Sequence, residues 1–151
     1  MATMSEPARS HFMLATGMAY RGWALTHPQR YQLIFGAPIP GYIAPVEKVM
    51  PVAARSLSAL VSVVDGLRVS GRLKAENFPE VKAEFKADFE MWNKFGGDYD
   101  MLSLSVAVLI WARVHGIVSL ELSQNLPPFG ADGNGLYRYE LLAIEEQFIN
   151  A

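Results

Sequence analysis

Apolar residues recur along this chain at steps of three and four, the spacing that gathers side chains on one face of an α-helix. Between residues 8 and 26, Phe12, Ala15, Ala19, Trp23 and Ala24 fall on one stripe. A short helix is predicted from Pro28 to Phe35, with Pro28 suited to a first turn, where its missing N–H costs nothing. A third stripe runs from Val46 to Val69 through Val49, Met50, Ala53, Leu57, Leu60, Val61, Val64 and Leu67. Pro51 interrupts it, which predicts a kink there or a start delayed to Pro51. Over 79–95, Val81, Phe85, Phe89, Trp92 and Phe95 share a face, and Lys82, Glu84, Lys86, Asp88 and Glu90 form a solvated one. Asn77, three residues before Glu80, predicts a capping box. A fifth helix, Met101 to about Leu126, is apolar nearly all round for three turns, the mark of burial on more than one side. The last, about 134–150, turns Leu141, Ile144 and Phe148 inward and Glu140, Glu145 and Glu146 outward. No strand-like alternation of useful length occurs, so the expected fold class is all-α.

Gly and Pro mark the loops between these segments. Five fall between Gly36 and Pro45 and five between Pro127 and Gly135. Smaller breaks lie at Thr26-His27-Pro28, around Gly71, at Asn77-Phe78-Pro79 and at Gly96-Gly97. Without repeats, low-complexity tracts or a linker, one domain over 1–151 is expected.

Composition narrows the function classes. The 151 residues are 51% hydrophobic and 19% charged, fewer charges than the roughly 25% of an average soluble domain. Ample apolar surface argues against disorder. With no Cys there is neither a disulfide nor a thiolate zinc site, which fits a reducing cytosol. A net charge of −2 leaves no basic footprint for nucleic acid. The start, MATMSEPARSHF, lacks the basic and apolar regions of a secretory signal. The longest near-apolar run, Met101 to Ala112, is short of the roughly 20 residues of a membrane span. A soluble, cytoplasmic chain with no membrane partner is expected.

Two stretches, taken together, carry a family resemblance. The first is Ala19 to Tyr42, with Tyr20, Trp23-Ala24, His27-Pro28, Tyr31, Leu33, Phe35-Gly36, Pro38 and Pro40-Gly41. The second is Trp111 to Leu122, WARVHGIVSLEL, a Trp followed four and five residues on by His-Gly and then Ser-Leu-Glu. In this order they resemble the C-terminal regulatory domain of TetR/AcrR-type transcriptional repressors, in the subgroup named for its Trp-His-Gly signature. The resemblance spans roughly 10–150, with 70–98 matching less clearly and reading as an insertion. It implies a ligand-binding bundle of about six helices whose last two pair with those of a second subunit in a four-helix interface. Such repressors begin with a three-helix DNA-binding unit, and no helix-turn-helix pattern or basic cluster is seen here. DNA is therefore expected to be reached only through a helix-turn-helix domain absent from this chain, which reads as a fragment or a separately expressed domain.

The residues suited to an effector cavity are Trp23, Phe35, Trp92, Trp111 and His115. Trp111 and His115, four apart, share a helix face; they form either a pocket wall, with His115 donating to a ligand, or a satisfied core pair. Gly116 costs about 1 kcal/mol in a helix interior, which close approach of another helix would offset. Trp23, Tyr31 and Phe35 form an aromatic group beside the Pro/Gly loop, cavity lining or plain core. Met13, Met18, Met50 and Met91 admit the same two readings. The expected dimer contacts are Val114, Val118, Leu122, Leu141, Ile144 and Phe148, and Glu at position 118 is expected to dissociate or unfold the protein.

Catalytic and metal chemistry find little support. Asp98 and Asp100 lack the Asn, Gly and Glu of a calcium loop and read as a solvated loop and helix cap. Glu145 and Glu146 are adjacent and point apart. Ser119 lies one turn from His115, but neither a nucleophile elbow nor a Gly-rich oxyanion loop accompanies it. The expected function is a non-enzymatic regulatory domain without cofactor or metal, homodimeric and binding a small apolar or amphipathic effector. The alternatives are a stand-alone helical homodimeric interaction module without a cavity, and a small hydrolase using His115 and Ser119.

Overall fold

A computed structural model describes residues 6–37, 39–128 and 132–150, with side chains from residue 13 onward. Phe12's side chain, Pro38 and part of the second Pro/Gly loop lie outside the described residues. Six α-helices follow one another: α1 (Glu6–Thr26), α2 (Pro28–Phe35), α3 (Val46–Val69), α4 (Ala83–Gly96), α5 (Met101–Leu122) and α6 (Asn134–Phe148). A 3₁₀ turn covers Ala75–Asn77, and Leu73 and Ile149 form an isolated antiparallel bridge. The protein is all-α, as the apolar spacing requires.

α2 and α3 begin and end where the sequence pattern places them. α3 starts at Val46, so Pro51 does not delay it; near a helix start a proline forfeits a single backbone bond. α3 and α5 end alike. Arg72 N–H bonds Leu67 C=O and Gly71 N–H bonds Arg68 C=O, around Gly71 at φ 72°. Asn125 N–H bonds Leu120 C=O and Gln124 N–H bonds Glu121 C=O, around Gln124 at φ 57°. Both are Schellman endings, which need a left-handed residue just past the helix. That geometry stops α5 at Leu122, four residues before the expected end.

α4 begins at Ala83 rather than at 79, and the expected Asn77–Glu80 box does not form. Asn77 instead donates its side-chain N–H to Gln147 C=O at 2.6 Å, a partner seventy residues away. Phe78 meets Phe148 edge to face at 4.7 Å, which holds the segment before α4 out of helix.

By their internal contacts the helices sort into two compact units. Unit 1 comprises 1–39 and 112–145; unit 2 comprises 40–111 and 146–151. In unit 2, Ala54, Leu57, Val61, Val64 and Leu67 of α3 and Leu104, Val106, Ala107 and Ile110 of α5 are buried. Val46 and Val49, assigned to the inward stripe, are 49% and 44% exposed. Buried Ser103 donates to Asp65 at 2.8 Å, and Arg68 pairs with Asp65 at 2.9 Å. The Ser103 hydroxyl first, and then Arg68, hold the Asp65 carboxyl below its ordinary value. Asp100 caps α5, its carboxylate accepting from the N–H of Leu102 and Ser103 at 3.0 and 3.3 Å.

α3 and α5 are long and apolar enough to cross a membrane by length and composition. Several of their ionised groups are paired within the protein, however: Asp65 with Arg68 on α3, and Arg113 with Glu140 and Glu121 with Arg21 on α5. Such pairing belongs to a core helix, since charge in a bilayer is costly and rare.

Candidate functional site

Unit 1 is built on a cluster of Ala24, Tyr31, Val118, Tyr137 and Leu141, with Leu14, Met18, Tyr20, Trp23, Val114, Ile117 and Leu122 packed against it. α2 has eight residues and buries only Tyr31, leaving Leu33 and Ile34 outward. It is closed by Gly36, whose N–H bonds Gln32 C=O at 2.8 Å. A Cβ at position 36 would sit 2.2 Å from that same carbonyl oxygen, so only Gly lets the chain leave α2 here. Gly36→Ala is expected to destabilise by about 1–3 kcal/mol, in the range of overpacking, and to lower Tm by about 2–4 °C per kcal/mol. An unchanged melting curve would contradict this.

The polar centre of unit 1 is His115 on α5. Its Nδ1 lies 2.8 Å from the Tyr20 hydroxyl of α1 and 3.1 Å from the Tyr31 hydroxyl of α2. The Tyr31 hydroxyl is also 2.6 Å from Ser119 Oγ, one turn on from His115. The Tyr31 ring stacks on the imidazole at 5.4 Å, and Phe35 meets it edge-on at 4.7 Å. Three helices thus converge on one imidazole, which α5 presents through the same i, i+4 spacing that aligns His115 with Ser119.

Burial governs the electrostatics of this cluster. It holds His115 below the ordinary imidazole value and, with the neighbouring Tyr31, pushes the Tyr20 phenol far above its own. At neutral pH the imidazole and the Tyr20 phenol are both uncharged, and Nδ1 can accept the Tyr20 proton when the imidazole hydrogen is on Nε2. The arrangement is a neutral hydrogen-bonded cluster framed by aromatic rings.

Beside it lies a network whose pairing the sequence did not signal. Arg21 of α1 grips Glu121 of α5 through two bonds, Nη2–Oε1 at 2.6 Å and Nε–Oε2 at 2.9 Å, with both side chains 9% exposed. Glu121 also accepts Gly133 N–H at 2.8 Å, and Arg21 donates to Asn134 at 3.3 Å where α6 begins. The Arg21 hydrogen bonds are the main reason the Glu121 carboxyl sits below its ordinary value. Tyr137 of α6 donates its hydroxyl to Gly17 C=O at 2.8 Å, and burial pushes that phenol up to about 12. A hundred residues separate Arg21 from Glu121, so no local pattern could pair them.

The structure distributes the expected residues unevenly. Phe35 and His115 are in contact, and Trp23 packs half-buried on the same unit 1 core. Trp92 and Trp111 belong to unit 2, where Trp92 lines a small cleft and Trp111 is 37% exposed. Val118, Leu141, Ile144 and Phe148 are buried within the chain itself and have almost no surface left for a partner. Val114 and Leu122 are half-buried against the unit 1 core. A helix apolar on all sides has an inner face as well as an outer one, and periodicity alone does not say which is which.

A family model described as "Tetracyclin repressor-like, C-terminal domain" matches residues 13–144. Two curated relatives are similar over 123 residues at 34% identity, covering 80% of this chain and 50% of each relative. They are the HTH-type transcriptional regulator Mb1846 of Mycobacterium bovis and the HTH-type transcriptional regulator Rv1816 of Mycobacterium tuberculosis. The chain spans about half the length of these relatives.

Proposed function

We propose that this chain, which belongs to the tetracyclin repressor-like C-terminal domain family, is the effector-binding and dimerising part of a cytoplasmic transcriptional repressor. It acts without catalysis, and DNA contact falls to a helix-turn-helix domain outside the matched region. The observation that carries the sensing role is the His115 cluster, because one imidazole ties α1 and α2 to α5. An apolar or amphipathic effector bounded by Trp23, Phe35 and His115 alters the hold on α2, and unequal affinity for the two arrangements shifts the regulator's state. Thermal melts against a panel of uncharged aromatic and aliphatic compounds test this. A ligand at one hundred times its Kd adds about 2.7 kcal/mol, a gain that His115→Ala and Phe35→Ala should reduce. Absence of any stabilising compound in a well-folded dimer would favour the interaction module instead, for which the exposed Leu33, Ile34, Ile39, Tyr42 and Ile43 speak.

For dimerisation the proposal rests on the outer faces of α5 and α6. Leu109, Ala112, Gly116 and Leu120 fall at steps of three and four on α5, and Leu109 and Leu120 are 47% and 43% exposed. α6 adds Tyr139 and Leu142, at 71% and 56%. A Cβ at Gly116 would meet nothing within 4 Å inside the chain, so the glycine leaves room for a second helix. Gly116→Leu is expected to keep the helical content and melting behaviour of one chain while moving the protein from dimer to monomer in sedimentation at micromolar concentration. A parent protein that sediments as a monomer would end this proposal.

A further inference from the structure

α4 is an unusual helix for a compact unit, since none of its fourteen residues is buried. Ala87, Met91 and Phe95 follow one another at steps of four, on one face of it. Ala87 and Met91 are exposed and Phe95 is half-buried. With Val46 of α3 they line an open groove of 310 Å³, rimmed by Glu47, Glu90 and Lys94. The rim therefore carries both signs of charge. Lys94 faces Glu47 at 3.9 Å and Lys86 reaches Glu90 at 3.6 Å, with all four side chains more than half exposed. Pairs so exposed hold their members weakly. An apolar floor within a charged rim is the layout of a protein contact.

The order of these residues along α4 selects the partner. Two copies of a helix packed antiparallel about a two-fold axis at Met91 bring each residue opposite the one equally far beyond position 91. Met91 then meets the second copy's Met91, and bulky Phe95 falls on the second copy's small Ala87, and the reverse. Lys94 comes within one turn of the second copy's Glu90, again in both directions. A rim of one sign would repel its own copy, whereas this one attracts it. We propose that the α3–α4 groove receives α4 of a second copy of this chain, antiparallel and centred on Met91. The contact uses neither the His115 cluster nor the faces of α5 and α6 proposed for dimerisation. A chain with two separate two-fold contacts joins dimers into larger assemblies. The fourteen residues of α4 are about 21 Å long. The area is thus at the low end for specific contacts, under about 1,200 Å², and association through α4 is weak.

Met91→Cys tests the register in a protein with no Cys of its own. Helix axes about 8–10 Å apart, with Cα atoms about 2.3 Å from each axis, leave facing residues within disulfide reach. Mild oxidation should convert Met91→Cys to a covalent dimer on a non-reducing gel. Phe85 is just as exposed, 51% against 50% for Met91, but its two copies would stand about 18 Å apart along the helices. Phe85→Cys should therefore stay uncoupled. Adding Lys94→Glu to Met91→Cys should slow dimer formation about fivefold, since a rim charge acts mainly on encounter. Exchanging the charges, with Lys94→Glu and Glu90→Lys together, should restore it. Sedimentation supplies a measure without oxidation. Near millimolar concentration the parent should form a species twice the mass of its micromolar form, and Lys94→Glu should not. Equal coupling of Phe85→Cys, no rescue by charge exchange, or no heavier species would each overturn the proposal. Failure of Met91→Cys to couple would also overturn it, leaving the groove to a different protein.

Discussion

Val118→Glu is expected to unfold the protein rather than merely to separate subunits. Val118 is 0% exposed and packs in the unit 1 core with Ala24, Tyr31, Tyr137 and Leu141. A carboxylate there would be stripped of water without a partner or would have to take up a proton, and either route costs free energy. The loss should be about 4 kcal/mol or more, a large part of the 5–15 kcal/mol that typically holds a domain together. Urea unfolding followed by circular dichroism measures it. A well-folded monomeric Val118→Glu protein would show that the side chain faces a partner rather than the core.

Glu121→Ala should have the next largest effect, about 3–5 kcal/mol, the usual cost of leaving one member of a buried pair alone. Arg21 would keep its charge at 7% exposure with the two bonds to Glu121 gone, and Gly133 N–H would lose its acceptor. Replacing both partners with apolar residues, as in Arg21→Met/Glu121→Leu, should recover much of that loss, because no unpaired charge remains. A double variant as unstable as Glu121→Ala would show that Arg21 matters for more than its pairing.

The same pair sets part of the acid sensitivity, and the signs agree across the chain. Glu121 and Asp65 are held below their ordinary carboxylate values, so each contributes stability above its unfolded value of about 4 and loses it as pH falls through the folded one. His115 is a base held below its ordinary 6.5 by burial. The unfolded chain therefore binds its proton first, and this stabilisation is present above that value and declines below it. Stability should fall in two stages on acidification, and His115→Gln should remove the earlier one. A variant that keeps the earlier stage would assign it to another group.

The helices of this protein were legible because their causes are local. Pro28 at a first turn, the steps of three and four in α3, and the absence of alternation depend on neighbours a few residues away, and α2 and α3 match them end to end. The same held for Asp100, which caps the helix it precedes. Where a distant partner competed, the local signal lost. Asn77 has the spacing of a capping box with Glu80 but gives its amide to Gln147. Val46 and Val49 continue an apolar stripe that the core does not reach.

The candidate site divides along the same line. His115 and Phe35 could be singled out from their residue types and setting, and they do meet. Tyr20 was noted only as part of the family pattern, and Ser119 as part of that pattern and as a neighbour of His115. Their places follow from how α1 and α2 lie against α5. Glu121 stood in the family pattern, but nothing local marked its pairing with Arg21, a bond that spans a hundred residues.

By itself, then, the sequence determined an all-α chain, the starts of α2, α3 and α5 and the family to which it belongs, because periodicity and motif spacing are properties of short stretches. The abundance of apolar residues was also plain, but not its direction. Only the tertiary structure decided that Val118 faces inward while Leu109 and Leu120 on the same helix face out. An apolar helix has no preferred side until other helices pack against it, and burial is a property of that packing rather than of the helix.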